Sequence, residues 1–294
     1  MLTRSPAVPY NLPAMNNRPS RRRPREFRED QTPTSGIFFK ARRSLYRGRS
    51  RFQRIDVFEN DAFGRVLFLD GLVQTTDKDE FFYHEMLVHP ALLRHPRPRR
   101  VLIIGGGDGG ALREVLRHPV EKATLVEIDG RVVEVCKDYF GWLRPALGGG
   151  RAELVIDDGN AFLEKTRDRF DVILIDSSDP VGPSTVLHQK AFYQRVKRCL
   201  SPGGIAAAQA GALLFHLDSH RRKNAFLRKL FRHARFYIGP VPTYPGGMWC
   251  YVYCSDRIPP LGRLRRTPTG LRYYNPAVHK AAFALPNLLA EKLR

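Results

Sequence analysis

The run Ile103-Ile104-Gly105-Gly106-Gly107-Asp108-Gly109-Gly110 decides how this chain is read. Val101 to Ile104 make an apolar stretch suited to a short buried strand, and Ala111-Leu112-Arg113-Glu114-Val115-Leu116 after the glycines has helical spacing. A strand, a glycine turn and a helix in that order open a nucleotide-binding unit. Gly105 and Gly107 let a nucleoside reach the backbone with no Cβ in the way, and the helix start offers free N–H groups. A glycine-rich turn alone matches many unrelated chains; Asp108 sharpens it. A carboxylate in that turn repels phosphate and carboxylate and favours a cation, so the ligand should carry positive charge. Helix capping explains the residue type at Asp108, but it does not explain the other acids described below.

Outward from this turn, apolar strands and helices alternate. Strands are expected over Ala123 to Ile128, Ala152 to Ile156, Val172 to Ile175 and Gly204 to Gln209, with helices over Val132 to Phe140, Asn160 to Lys165, His188 to Leu200 and Leu214 to Phe231. Phe236 to Ile238 and Met248 to Cys254 close the series as strands. Such alternation predicts an α/β fold, a parallel sheet covered on both faces with ligands over the carboxyl ends of its strands. Upstream, Asp79 to about Leu93 reads as a helix. Residues 36–78 contain the short β-like runs Ile37-Phe38-Phe39, Gln53 to Glu59 and Val66 to Leu69, separated by turn residues at Glu59 to Gly64 and Asp70-Gly71. They predict a small N-terminal antiparallel β domain, leaving residues 79–294 for the larger domain.

The strand ends are acidic: Asp108, then Glu127 and Asp129, then Asp157-Asp158-Gly159, then Asp176-Ser177-Ser178-Asp179. Glu127 lies 19 residues after Asp108, near the spacing at which an acid takes ribose hydroxyls. Asp158 suits an adenine amino group, while a nucleoside leaves Asp176 and Asp179 unexplained. One such acid is ordinarily a turn residue, but several converging on one crevice call for a divalent metal or a cationic organic ligand. Tyr83, Tyr244, Trp249 and Pro180-Val181-Gly182-Pro183 supply apolar and aromatic walls suited to methylene chains and ammonium groups. They favour an amine over a metal.

At 43% hydrophobic residues, 294 residues bury an ample core. No apolar run reaches the roughly 18 residues of a membrane span and no secretory segment opens the chain, so a soluble, cytoplasmic protein is expected. Cys136, Cys199, Cys250 and Cys254 show no zinc-like spacing and read as free thiols. The net charge of +20 suggests nucleic acid, yet the first 54 residues alone hold fourteen Lys or Arg against three acids. Residues 1–35 read as a basic, disordered tail, the one route to nucleic acid expected here.

From about Arg51 to the C-terminus the chain resembles the spermidine synthases, the aminopropyltransferases of polyamine synthesis. The resemblance rests on Asp70-Gly71-Leu72-Val73-Gln74-Thr75-Thr76, Asp79-Glu80-Phe81-Phe82-Tyr83-His84-Glu85-Met86, Ile103 to Gly110, Val126-Glu127-Ile128-Asp129, Asp176 to Pro183, Pro242-Thr243-Tyr244-Pro245-Gly246-Gly247 and Tyr273-Tyr274-Asn275-Pro276. It implies a Rossmann-like, methyltransferase-type sheet. It also implies transfer of the aminopropyl group of decarboxylated S-adenosylmethionine to putrescine, giving spermidine and 5'-methylthioadenosine. Decarboxylated S-adenosylmethionine is then a co-substrate; no cofactor or metal is expected, and the expected assembly is a homodimer or homotetramer. By the same resemblance Gln53, Glu127, Asp158, Gly159 and Pro183 hold the nucleoside. His84, Asp108 and Asp179, together with Gln74 and Tyr244, face amine groups. Asp176 is the catalytic carboxylate, assisted by Tyr83.

One departure is plain: Gln209-Ala210-Gly211-Ala212-Leu213-Leu214 lacks an acid that some relatives place there, so the contact for the acceptor's far ammonium is not identified. The competing readings are transfer to agmatine or spermidine, methyl transfer from ordinary S-adenosylmethionine, and a nucleic-acid-binding protein on a retained Rossmann scaffold.

Overall fold

A computed structural model describes residues 25–178 and 182–294 of the chain. Strands β1 (Arg25–Thr32) and β2 (Ser35–Ala41) form an antiparallel hairpin. Strands β3 (Arg43–Arg49), β4 (Arg54–Asn60), β5 (Gly64–Leu69) and β6 (Leu72–Thr76) form a four-stranded antiparallel sheet in sequence order. The hairpin corrects the expected extent of the tail, whose residues 25–35 are in part strand. Phe27 stacks on Phe58 with ring centroids 4.0 Å apart, and Phe39 meets Phe68 edge-on at 5.6 Å. Two aromatic rings thus give this segment something to bury, which the surrounding arginines obscure in the sequence. Residues 1–24, the rest of the predicted tail, lie outside the described residues. The Asp70-Gly71 turn joins β5 to β6 with φ of 49° and 90°, the left-handed geometry a two-residue hairpin requires.

Helix α1 (Glu80–Arg94) leads into the larger domain and is almost wholly buried. Pro90 interrupts its hydrogen-bond ladder, leaving the Met86 carbonyl without its usual donor, and the buried Tyr237 hydroxyl donates to that oxygen at 3.0 Å. There follow β7 (Arg100–Gly105), α2 (Gly110–Leu116), β8 (Lys122–Glu127), α3 (Gly130–Tyr139), α4 (Leu143–Gly148), β9 (Ala152–Ile156), α5 (Gly159–Lys165) and β10 (Phe170–Asp176). A 3-10 helix (Gly182–His188) precedes α6 (Lys190–Cys199), β11 (Leu200–Ala212), α7 (Leu217–Leu230), β12 (His233–Pro240), β13 (Met248–Ser255), α8 (Pro276–Ala282) and α9 (Asn287–Lys292).

The central sheet runs β12-β13-β11-β10-β7-β8-β9. Its strands read as continuous apolar runs because both faces are covered. Val101 and Ile103 of β7 join the core on one face, Leu102 and Ile104 the core on the other. The expectation of a parallel sheet is corrected at β13, which pairs antiparallel with both β11 and β12. Only residues 241–247 connect β12 to β13, too few for the crossover a parallel pair needs. The chain reverses its order between β7 and β10, and a crevice opens at such a switch point above the strand ends. No helix among the described residues is long and apolar enough to cross a membrane.

Candidate active site

A cavity of about 270 Å³ lies over that switch point, bounded by β5, β6, α1 and the carboxyl ends of the central strands. β7 contributes Gly105, Gly107 and Asp108, β8 ends in Glu127, α5 opens with Asp158 and Gly159, and β10 ends in Asp176. Tyr83 and His84 come from α1, Gln53 and Gln74 from the N-terminal sheet and its approach, and Tyr244 from the loop before β13. Asp179 lies outside the described residues, and of Pro183 only the backbone, within the 3-10 helix, is described.

The glycines are required by the protein as well as by a ligand. Gly105 and Gly106 have φ of 79° and 73°. A Cβ on Gly105 would stand 2.1 Å from the Asp176 carbonyl oxygen, and one on Gly106 2.6 Å from Asp176 Oδ2. With Asp176 opposite Gly105 in the strand register, the turn brings the Asp176 carboxylate against bare backbone. At Gly110 a Cβ would stand 2.2 Å from the His84 ring. The turn therefore packs against the two side chains that define the charge of the site.

Asp176 accepts a 2.6 Å hydrogen bond from the Tyr83 hydroxyl on Oδ1, while its Oδ2 is buried with no hydrogen-bond partner among the described residues. Burial raises its pKa to about 6, an effect His84 opposes and Asp108 reinforces. Burial also holds the Tyr83 hydroxyl well above its ordinary value, with Asp176 adding to it, so Tyr83 stays a donor. Glu127 is pushed up to about 7, chiefly by burial, although it accepts from the backbone N–H groups of Gly107 at 3.1 Å and Asp129 at 2.9 Å.

His84 Nδ1 lies 2.7 Å from Glu80 Oε2 and its Nε2 3.4 Å from Asp108 Oδ2. Burial alone would depress this imidazolium, but Asp108 and Glu80 prevail and hold its pKa well above the ordinary range. Burial likewise opposes ionisation of Asp108, and His84 outweighs it, keeping the carboxyl below its ordinary pKa. His84 is thus a cation with both nitrogens directed at carboxylates, and what it holds is Asp108. The capping role also exists, since Asp108 Oδ1 accepts from the Gly110 N–H at 3.0 Å.

Behind this pair stands Arg113, which sequence reasoning passed over. Its guanidinium donates twice to Glu80 at 2.9 and 2.8 Å, and once to Glu114 at 2.8 Å. It also lies 5.5 Å from the centre of the Trp142 ring, whose N–H donates to the Asp108 carbonyl at 2.9 Å. Removing it takes the forked partner from buried Glu80, which keeps only His84 among the described residues, and one of three basic partners from Glu114, which keeps His89 and Arg117. Arg113→Ala is expected to cost about 3 kcal/mol of stability, measured by urea unfolding. Lysine should not restore the loss, because it cannot reproduce the forked contact.

Other predicted residues have local partners. Asp158 Oδ1 caps α5 through Asn160 and Ala161 N–H groups at 2.7 and 2.9 Å, leaving Oδ2 outside these bonds. Gln53 Nε2 donates to Asp129 at 2.9 Å. The Tyr244 hydroxyl donates to the Gln74 carbonyl at 2.5 Å, and its ring meets Trp249 edge-on. Two further cavity residues went unread. Gln209 at the end of β11 donates to the Ser177 and Ser178 carbonyls at 2.8 and 3.3 Å, fixing the chain just beyond Asp176. Glu29 comes from β1, and its Oε2 accepts from the Val73 N–H at 2.8 Å. Its being an acid within a predicted tail was the available signal. His84, Asp108 and Asp176 bring ligand atoms within 4.8 Å of one another, the one such group among the described residues. To bind a metal, His84 must first surrender a strongly held proton.

Residues 80–261 match the spermine/spermidine synthase domain model, and residues 27–77 the spermidine synthase tetramerisation domain model. A polyamine aminopropyltransferase of Caldicellulosiruptor bescii is 43% identical over 275 residues, 91% of this chain and 98% of the relative. The structure of a spermidine synthase in complex with the transition-state analogue AdoDATO superposes with a TM-score of 0.88 at 42% identity, covering 92% of this chain and 96% of that one. The Thermotoga maritima spermidine synthase gives a TM-score of 0.87 at 41% identity, covering 92% and 95%.

Proposed function

This chain belongs to the spermine/spermidine synthase family of polyamine aminopropyltransferases, and we propose that its reaction moves the aminopropyl group of decarboxylated S-adenosylmethionine to putrescine. The observation that supports this most is the buried Oδ2 of Asp176, without a hydrogen-bond partner among the described residues, beside the ionised Asp108. Such an oxygen needs a donor, and an acceptor amine is one.

The nucleoside lies across the glycine turn, with Glu127 on the ribose and Asp158 near the base. Asp108, fixed by His84, takes the donor's ammonium; Asp179 joins it by resemblance. The acceptor enters against Tyr83, Tyr244 and Trp249. Its far ammonium has no acid from residues 209–214 to meet, and Glu29 is the carboxylate placed to take it. At pH 7 about one alkylamine in 10³ is neutral, so losing the proton costs roughly 4–5 kcal/mol. Asp176 accepts that proton, with Tyr83 orienting its carboxylate. The freed nitrogen lone pair then attacks the methylene bonded to the sulfonium. The carbon–sulfur bond breaks with its electrons going to sulfur, leaving neutral 5'-methylthioadenosine. No step calls on a metal or a bound cofactor. The match of residues 27–77 to a tetramerisation domain supports a homotetramer.

Incubation with decarboxylated donor and a panel of putrescine, agmatine and spermidine, followed by mass analysis, tests this reading. Spermidine from putrescine is expected. Preference for another amine, or methyl transfer from S-adenosylmethionine, would overturn it. A pH dependence follows as well. Glu127 at about 7 and Asp176 at about 6 both carry raised values, so each is ionised only above its pKa. The value of kcat/KM for the donor is expected to fall with acidity through pH 7 to 6, approaching two protons in slope near pH 5.

A further inference from the structure

The positive charge of this chain is segregated. Residues 1–54 hold fourteen Lys and Arg against three acids and residues 182–235 hold eleven against one, so these blocks carry +11 and +10 and the rest of the chain is close to neutral. The cations of the second block lie on α6 and α7, which pack on one face of the central sheet, and at the start of β12. Arg221, Arg222, Arg228 and Lys229 of α7, with Arg232 and Arg235 beyond it, are exposed, and none makes a direct ion pair within 4.0 Å among the described residues, though Arg221 and Arg222 stand near Asp218. The lone acid, Asp218, is bridged to Lys292 at 2.8 Å.

Folding does not account for this pattern. Cations in the last turn of a helix offset its dipole, which covers Arg228 and Lys229. Arg221 and Arg222 lie past the first turn of α7, three and four residues after Asp218, whose carboxyl Lys292 chiefly, and they in turn, hold below its ordinary pKa; one acid already bridged to Lys292 leaves most of their charge and all of that at Arg232 and Arg235 unmatched. The two pairs are seven residues apart, two turns or about 10 Å, and so form one stripe. We infer that this stripe, continued by Arg232 and Arg235, is a phosphate-backbone-binding face for nucleic acid, recognised by charge and not by sequence. Guanidinium forks match phosphate oxygens, and five of these six side chains are arginine. A lipid surface would also demand apolar anchors, and no large apolar side chain stands exposed on α6 or α7.

The face is separate from the acidic cavity, to which α7 contributes no residue, so both can be occupied together. Nucleic acid gathers a counterion layer, which includes polyamines. An enzyme held there works where its cationic acceptor is concentrated.

The test is fluorescence anisotropy with a labelled 20-base-pair duplex from 50 to 300 mM salt. It compares the full chain, a variant carrying Arg221→Glu, Arg222→Glu, Arg228→Glu and Lys229→Glu, and a chain lacking residues 1–24. The fourfold variant is expected to bind at least ~100-fold more weakly at 150 mM salt, with the slope of log K against log salt reduced by about 3–4. Its circular dichroism spectrum and turnover should be those of wild type. Wild-type duplex affinity in the fourfold variant would overturn the inference. So would complete loss of binding on removing residues 1–24, binding to anionic vesicles but not to duplex, or a changed oligomeric state in the fourfold variant with duplex binding intact.

Discussion

Asp176→Asn is expected to lower kcat by about 10²- to 10⁴-fold, the range for removing a positioned proton acceptor, while the KM for the decarboxylated donor stays within a few fold. Asn occupies nearly the same volume and can still accept from the Tyr83 hydroxyl, now 2.6 Å from Oδ1. What it loses is the charge that stabilises the departing ammonium proton. An ordinary exposed carboxylate is a poor base for an alkylamine. Burial raises this one to about 6, narrowing the gap, and the rest comes from holding the nitrogen in line with the methylene carbon. Steady-state kinetics with each substrate varied, together with equilibrium binding of the donor, separate the two effects. A kcat within threefold of wild type would remove Asp176 from the proton-transfer step.

Asp108→Asn should weaken the choice between donors by at least tenfold. S-adenosylmethionine carries a carboxylate where the decarboxylated form has none, and on the proposed reading the ionised Asp108 would repel the former while pairing with the ammonium of the latter. Truncating one member of a buried charge contact costs on the order of 2–4 kcal/mol, so kcat/KM for the decarboxylated donor falls roughly 30- to 10³-fold. The discrimination ratio should shrink by at least tenfold, since repulsion is removed along with attraction. His84 retains Glu80 at 2.7 Å, so the fold is expected to survive. Asp108 also helps raise the Asp176 pKa, and its loss should move the acid limb to lower pH. Product analysis with both donors over pH 5 to 8 reads all three effects. An unchanged discrimination ratio would remove Asp108 as the selector.

Much of the site was legible because its residues stand where strands end. Asp108, Glu127, Asp158 and Asp176 each follow an apolar run, and a sheet covered on both faces delivers such positions to one edge. Tyr83 was read as an aromatic wall and, through the family motif, as the partner of Asp176; His84 came from the motif alone, as an amine contact, and its pairing with Asp108 was not foreseen. Glu29 was hidden because the run of arginines from Arg18 to Arg28 before it made its strand look like tail, while Phe27 and Phe39 had aromatic partners thirty residues away. Gln209 was passed over because an amide in an apolar strand carries no charge signal. The antiparallel placement of β13 depends on a loop of seven residues, a length visible in the sequence but decisive only once β12 and β13 have their bounds.

Local periodicity and the placement of glycine and acid are properties of neighbouring residues, so the sequence by itself determined the α/β alternation, the glycine turn at the end of β7 and the row of acids at the strand ends. Which charges become ionised, and against what, was decided by tertiary contact. Asp79 accepts from Thr243 and Glu85 from the N–H groups of residues 272–274, drawing remote loops to α1. Arg113 fixes Glu80, Glu80 fixes His84, and His84 fixes Asp108. Burial sets the strength of every one of those interactions by removing water, and burial does not exist until the chain has folded.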